Sequence, residues 1–314
     1  MIVRLKGNFS SYIFDPENEK TTLRKNGRFS LVYLGKDEIT SQTVIIKQLH
    51  PRLIGKQQET ERFRSEYRPD FRLNGFSHTI DFIEADHQLY LIRNFIEGED
   101  FSTESRKKWI RKCSVAERRN ILLEMLSRVN DLHEAGIIHG DLKPSNFIIG
   151  PHNQISLIDL GAGIASDPSL RGPKNEQHPL PFAFRYSAPE LMLNEVDLID
   201  ARSDLFSLGV LWFELLSGKA AWEDANPAVL MNLQMVYPLV NNGSISKNLF
   251  ELLEKMTARY SFRIPPNRIS ADERRKGLIA GLEKRFSSAS EVRAALENLY
   301  SDDFMLKSVF WNLF

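Results

Sequence analysis

Two runs of β-branched and aromatic residues, 29–35 and 43–49, are separated by the polar stretch 36–42, and this pattern predicts a pair of β-strands. A second pair follows at 79–85 and 89–96, split at Asp86 and His87. Between the pairs, residues 57–74 are charged and helix-forming apart from Pro69. A proline inside a helix costs about 3 kcal/mol, so this helix is expected to kink or end early. After residue 100 the period changes. Leu122, Met125, Val129 and Leu132 recur at spacings of three and four, marking one face of a helix with Gly136 as its stop. Residues 203–217 are apolar on nearly all sides and predict a buried helix. A third helix is expected from Ser288, with Glu291 at capping-box spacing and Val292, Leu296 and Leu299 as its apolar face. The expected fold class is therefore α+β. Residues 1–96 form a small antiparallel sheet with one helix, and 97–300 form a larger, mainly helical part. An apolar tail, 301–314, follows. A cleft between two such parts is a natural ligand site.

Composition narrows the classes. The 314 residues include 41 basic and 41 acidic side chains, so no whole-chain basic field exists and nucleic acid is not an expected partner. Cys113 is the single cysteine, which excludes an internal disulfide and a cysteine zinc site and fits a reducing, cytoplasmic setting. The most apolar stretch, 205–216, is interrupted by Ser207 and Glu214. It falls short of the ~20 residues a membrane helix needs, so no membrane span is expected. The N-terminus has no apolar run of signal-peptide length.

The sharpest chemical signal is His139-Gly140-Asp141-Leu142-Lys143-Pro144-Ser145-Asn146, followed thirteen residues later by Asp159-Leu160-Gly161. Asn and Asp oxygens are hard ligands suited to Mg²⁺ held between protein and phosphates. A separate carboxylate can orient a hydroxyl nucleophile and accept its proton. A lysine beside it can offset charge on a phosphoryl group in transfer.

This set resembles the eukaryotic-type (Hanks-type) serine/threonine protein kinase family, whose catalytic loop reads H-x-D-x-K-x-x-N. The resemblance runs from about residue 25 to 299 and implies a bilobal protein-kinase fold with ATP and Mg²⁺ as cofactors. It places Asp141 as catalytic base with Lys143 beside it, and Asn146 and Asp159 as Mg²⁺ ligands. Lys47, in Val44-Ile45-Ile46-Lys47, would grip the α- and β-phosphates, aligned by Glu66; Glu59 and Glu61 are weaker candidates for that partner. Asn26, Gly27, Ser30 and Val32 would cover the nucleotide, and backbone groups near Asn94 and Ile96 would meet adenine. Arg93 falls at the gatekeeper position, usually apolar, where an acid such as Glu66 or Asp159 could pair with it. Ala188-Pro189-Glu190 and Asp204 match the end of the activation segment and the start of the central helix. Asp204 would brace the catalytic loop, and Arg285 would pair with Glu190. Lys143 resembles the serine/threonine class, so the implied reaction is transfer of the ATP γ-phosphoryl group to Ser or Thr of a protein.

Several positions depart from the family pattern. Of the three loop-glycine positions, Lys25, Gly27 and Ser30, only one is glycine. Ile45 stands where alanine is usual, and Ala183 where a threonine is usual. Gly140 replaces the arginine that binds a phosphorylated activation loop, which implies activity without loop phosphorylation. The departures keep two other readings open: a pseudokinase scaffold that binds nucleotide without turnover, and a small-molecule kinase. Residues 259–285 carry a formal excess of five positive charges and read as a basic inserted loop, solvated or docking an acidic partner.

Overall fold

In the computed structural model of the chain, residues 2–24, 29–171, 184–262, 264 and 266–307 are described. They fall into two compact units. One comprises the residues up to Glu97 together with Ser156–Gly161, the other Gly98–Ile155 and the residues from Ala162 onward.

The first unit is an antiparallel sheet with one α-helix. Its strands are β1 (Val3–Lys6), β2 (Ser11–Phe14), β3 (Thr22–Arg24), β4 (Ser30–Asp37), β5 (Thr43–Leu49), β6 (Thr79–Ala85) and β7 (Gln88–Asn94), and its helix is α1 (Gln57–Ser65). The order is β1-β2-β4-β5-β7-β6, with β3 also paired to β4. The two strand pairs read from the alternation are β4–β5 and β6–β7. Asp86 and His87 turn the second hairpin with positive φ at both positions, 49° and 59°, the backbone of a two-residue turn that follows the sheet twist. The strands β1 to β3 were not foreseen: each is only three or four residues long, too short for a period of two to stand out. Asp81 of β6 ties them in, accepting from the backbone N–H groups of Asn8 at 2.8 Å and Phe9 at 3.2 Å. The sheet thus curls, with its first hairpin held against the far edge strand. Tyr12, Phe14, Tyr33, Ile46 and Ile92 fill the inside of the curl.

Helix α1 is shorter than the charged run 57–74 that suggested it. It ends at Ser65, with Glu66 as the capping residue. Pro69 disfavours helical backbone at Arg68, and the Arg68 N–H instead donates to Thr79 Oγ1 at 3.0 Å. The chain re-enters this unit at Leu157, whose N–H donates to Gly75 O at 2.8 Å and whose carbonyl accepts from Ser77 N at 3.2 Å.

The second unit is mainly helical. Along the chain come β8 (Glu99–Asp100), α2 (Glu104–Lys112), α3 (Val115–Glu134), β9 (Ile137–Ile138), β10 (Phe147–Ile149), β11 (Ile155–Leu157, which leads back to the first unit) and β12 (Ile164–Ala165). There follow α4 (Pro189–Met192), α5 (Ala201–Ser217), α6 (Pro227–Val236), α7 (Lys247–Met256), α8 (Ala271–Leu282) and α9 (Ala289–Glu297). Helix α5 is the axis of the core, and every residue from Ser203 to Ser217 is buried. Its start is set by a capping box between Asp200 and Ser203, its end by Gly218 in the left-handed conformation. Helices α3 and α7 pack on it, and α9 packs on both of those. At α9 the capping differs in detail from the spacing argument. Ser288 Oγ accepts from Glu291 N at 3.3 Å, but the Glu291 carboxylate accepts from Ser287 N, one residue earlier, at 2.9 Å.

The basic segment 259–285 is not a loop throughout. Its second half is α8, started by a capping box between Ser270 and Glu273. Several of its cations are paired or packed. Arg285 is buried against Glu190, and Arg274 and Arg275 reach Glu195 and Asp197 at 3.4 and 3.5 Å. Arg259 stacks over Trp222 at 4.9 Å, where burial pushes its guanidinium down to about 10. Arg268, Lys276 and Lys284 remain exposed. Within 301–307, Phe304 is fully buried. Its carbonyl accepts from Arg118 Nη1 at 2.5 Å, and the Arg119 guanidinium lies 5.8 Å from its ring. The rest of the tail, 308–314, lies outside the described residues. Among the described residues, no helix is long and apolar enough to cross a membrane.

Candidate active site

The candidate residues lie in both units, and each group has its own geometry. In the first unit, β5 carries Lys47, opposite Val32 of β4 and Leu91 of β7. Lys47 Nζ donates to Glu66 Oε2 at 2.6 Å and to Asp159 Oδ1 at 3.1 Å. Glu66, at the end of α1, is 8% exposed. Glu59 is half-buried and Glu61 exposed. Of these three glutamates, only Glu66 is ion-paired to the lysine among the described contacts. The 19-residue spacing selected this partner, although the residue caps the helix rather than sitting inside it.

Arg93 of β7 meets both acids. Its Nη2 donates to Glu66 Oε2 at 2.7 Å, and its Nη1 to Asp159 Oδ1 at 3.3 Å. Two cations therefore face two carboxylates in a partly buried cluster, each cation touching both. Asp159 holds its place with φ at 64°, a left-handed backbone that Asp tolerates better than most residues. Two residues on, Gly161 packs against Glu66 so closely that a side chain would collide: a Cβ there would stand 2.7 Å from Glu66 Oε1. This reason for a glycine was not legible from the motif alone. Glu66, Arg68, His78, Thr79 and Arg93 line a small recess beside the cluster. Burial, and then the Arg72 charge, holds the His78 imidazole below its usual value.

Other positions that the resemblance assigns to the nucleotide are less decisive. Ser30 is buried at the start of β4, opposite Leu49, and Val32 is half-buried. Asn94 ends β7, where its N–H donates to His78 O at 3.2 Å and its side-chain oxygen accepts from His78 N at 2.7 Å. That N–H is thus already engaged within the unit. Ile96 follows beyond the strand and is half-buried. Lys25, Asn26 and Gly27 lie outside the described residues, as does Ala183.

In the second unit, the catalytic-loop motif follows α3 and β9. Lys143 Nζ is ion-paired with Asp141 Oδ2. Asn146 Nδ2 donates to Asp141 O at 2.9 Å, which fixes the amide with its oxygen opposite that bond. Asp204, fully buried near the start of α5, braces the loop from below. Its carboxylate accepts from His139 N at 2.7 Å and Gly140 N at 2.9 Å, and contacts His133 Nε2 at 2.9 Å. Burial pushes this carboxyl up, but the His133 bond, the two histidine charges and the Gly140 N–H together hold it below its ordinary value. The sequence pointed to the bracing role of Asp204 but not to His133, in the last turn of α3. Gly140 has φ at 73° and close neighbours in Ala162 O and Ile164 Cδ1, so a side chain there is strained. Glu190 receives Arg285 through two bonds, 2.7 and 3.1 Å, with both side chains almost wholly buried. Arg171 ties the segment after β12 in place through the carbonyls of Ala165, Ser166, Val196 and Ile199, at 2.7 to 2.9 Å.

Comparison with known proteins identifies the family. The protein kinase domain family matches residues 25–276. Among curated proteins, the chain is 27% identical to the serine/threonine-protein kinase pkn3 of Myxococcus xanthus, over 63% of this chain and 37% of that protein. It is 26% identical to Pkn1 of the same organism, over 78% of this chain and 35% of Pkn1. It is 32% identical to PknF of Mycobacterium tuberculosis, over 48% of this chain and 31% of PknF. The chain spans well under two thirds of the length of each of these relatives. With four fifths of its length matched, with a sheet unit and a helical unit of the expected make-up, and with the motif residues in family order, the chain belongs to the protein kinase domain family.

Proposed function

We propose that this protein transfers the γ-phosphoryl group of ATP to serine or threonine side chains of proteins. The observation that carries this reading is Lys47, ion-paired to Glu66 at 2.6 Å and to Asp159 at 3.1 Å. A lysine restrained by two acids supports its assignment to the phosphates, because positioning with electrostatics supplies most of the rate in phosphoryl transfer. Asn26, Gly27, Ser30 and Val32 are assigned to the cover over the nucleotide, and the backbone around Asn94 and Ile96 to the adenine end. Asp141 orients the acceptor hydroxyl and takes its proton. Lys143, paired to it, offsets negative charge as the group moves.

Asn146 and Asp159 offer an amide and a carboxylate oxygen, the hard donors that suit Mg²⁺. When bound, the ion would supply charge neutralisation on the phosphates. Gly140 lacks the cationic side chain that would read a phosphorylated loop. The Arg171 clamp gives the segment an internal tether, and both features support activity without phosphorylation of that segment. The exposed Arg268, Lys276 and Lys284 are the part of the basic segment that could meet an acidic partner. The single cysteine fits a cytoplasmic protein.

Intact-mass analysis after incubation with ATP, Mg²⁺ and a generic protein acceptor tests the proposal, with Asp141→Ala as control. Phosphate on Ser or Thr, added only by the unsubstituted chain, is the expected result. Nucleotide binding without transfer would favour the scaffold reading, to which the Arg93 contact on Asp159 lends support. Rapid phosphorylation of a sugar or alcohol, with protein untouched, would favour a small-molecule kinase.

A further inference from the structure

The residue at position 93 makes the first unit's acid cluster unusual. It is an arginine on a central strand, 7% exposed, opposite Ile45 of β5 and Thr79 of β6. Its guanidinium shares the same two oxygens that Lys47 uses: Glu66 Oε2, at 2.7 Å from Arg93 and 2.6 Å from Lys47, and Asp159 Oδ1, at 3.3 Å and 3.1 Å. Both ends of its guanidinium are held by acids, at 2.7 Å and 3.3 Å. Two positive charges against two negative ones leave the cluster formally neutral.

Neutrality has a consequence for a divalent ion. Asp159 is the one carboxylate among the two residues assigned to Mg²⁺, and one of its oxygens already faces two cations. In a partly buried site, a guanidinium 3.3 Å from that oxygen opposes an approaching cation far more strongly than it would in water. Glu66 holds its other nitrogen at 2.7 Å, a bond that opposes its leaving Asp159.

We propose that Arg93 is a positioning residue that sets the metal requirement of this site. It keeps Glu66 and Asp159 assembled in the absence of any ligand, and in exchange it weakens the hold of Asp159 on Mg²⁺. The proposal rests on the nucleotide-binding reading above and adds to it a specific property, a high Mg²⁺ requirement caused by one side chain.

The test is calorimetric titration of the full chain with ADP at a series of Mg²⁺ concentrations, so that binding is read without turnover. Arg93→Met and Arg93→Gln are compared with the unsubstituted chain, and thermal unfolding of each reports whether it folds. Arg93→Gln keeps a hydrogen-bonding side chain for Glu66 should the methionine variant fail to fold. The expected result is a fall of about fivefold or more in the Mg²⁺ concentration at half effect in both neutral variants. ADP affinity without metal should change much less, and Arg93→Lys should restore the original metal dependence. A folded neutral variant with an unchanged Mg²⁺ requirement overturns the proposal while leaving the nucleotide reading intact. If the unsubstituted chain binds no ADP at any Mg²⁺ concentration, the nucleotide reading falls and the proposal falls with it.

Discussion

Gly161 leaves the space that Glu66 occupies: a Cβ at position 161 would stand 2.7 Å from Glu66 Oε1 and 2.8 Å from its carboxyl carbon. The glycine that follows Asp159-Leu160 is therefore a packing requirement of the Lys47–Glu66 pair. Gly161→Ala should push the Glu66 carboxylate off Lys47 while leaving the helical unit intact. The expected outcome is weaker ATP binding and at least a tenfold loss of kcat/KM, about 1.4 kcal/mol. Steady-state kinetics with a thermal melt beside them would check it. An unchanged KM for ATP would show that Glu66 has another place to go.

The Glu190–Arg285 pair is buried and doubly bonded, so removing one partner strands a charge away from water. Arg285→Met alone should cost about 3–5 kcal/mol in a denaturant titration. The double variant Glu190→Met with Arg285→Met should recover much of that loss, because neither charge of the pair is left without its partner. Equal destabilisation of the single and double variants would mean that Arg285 matters mainly through its other bonds, to Ala258 O and Arg202 O.

Asp204 makes stability depend on pH in a definite direction. Its folded-state value lies below the ordinary one, so the folded chain holds the charged form more tightly than the unfolded chain does. This contribution is complete above the unfolded value of about 4 and is lost as pH falls through the lower folded value. Asp204→Asn should therefore cost more stability at pH 7 than at pH 3, and the gap should close as acid is added. Denaturant midpoints at the two pH values measure it. A constant penalty at both would assign the loss to packing and hydrogen bonding instead of charge.

Asp141→Asn keeps the size of the side chain and most of its hydrogen bonds but removes its capacity to accept a proton. Phosphoryl transfer should fall by about 10²–10⁴-fold with little change in nucleotide affinity. Single-turnover kinetics alongside ADP titration would separate the two, and a purely binding-related loss would remove Asp141 from the role of base.

Arg171, bonded to four carbonyls, tethers the segment that begins at β12. Ser166→Ala with Ser169→Ala should leave activity unchanged, as should phosphatase treatment. Arg171→Met should lower activity and open the segment to proteolysis. A loss of activity on phosphatase treatment would overturn independence from loop phosphorylation.

The Asp-Leu-Gly run, the catalytic-loop spacing, the hairpins and the capped helices α3, α5 and α9 were all readable in the chain because each rests on residues within about a dozen positions of one another. Local chemistry decides a turn, a cap or a strand period, and the residues that do so are adjacent in sequence. The strands β1–β3 escaped because three or four residues carry too little periodicity, and α1 was overdrawn because charge composition does not say where Pro69 takes effect. The second half of the basic segment read as a loop because its charges hid a helix whose cap, Ser270 to Glu273, is plain only once it is looked for.

By itself, the sequence determined the order of the elements and the identity of the chemical groups: a lysine on a strand, a glutamate 19 residues later, and the Asp, Lys and Asn of the loop. Tertiary structure alone decided which of those charges meet. Strand pairing sets Arg93 opposite Ile45, two residues before Lys47, and the return of residues 156–161 brings Asp159 to both cations. Ion pairs between residues 19 to 112 positions apart depend on the register of the sheet and on the space that Gly161 leaves, and neither can be read from the local pattern. For that reason Arg93, one charge on an apolar strand, could be placed at its position by sequence, but only the fold shows it binding both acids at once.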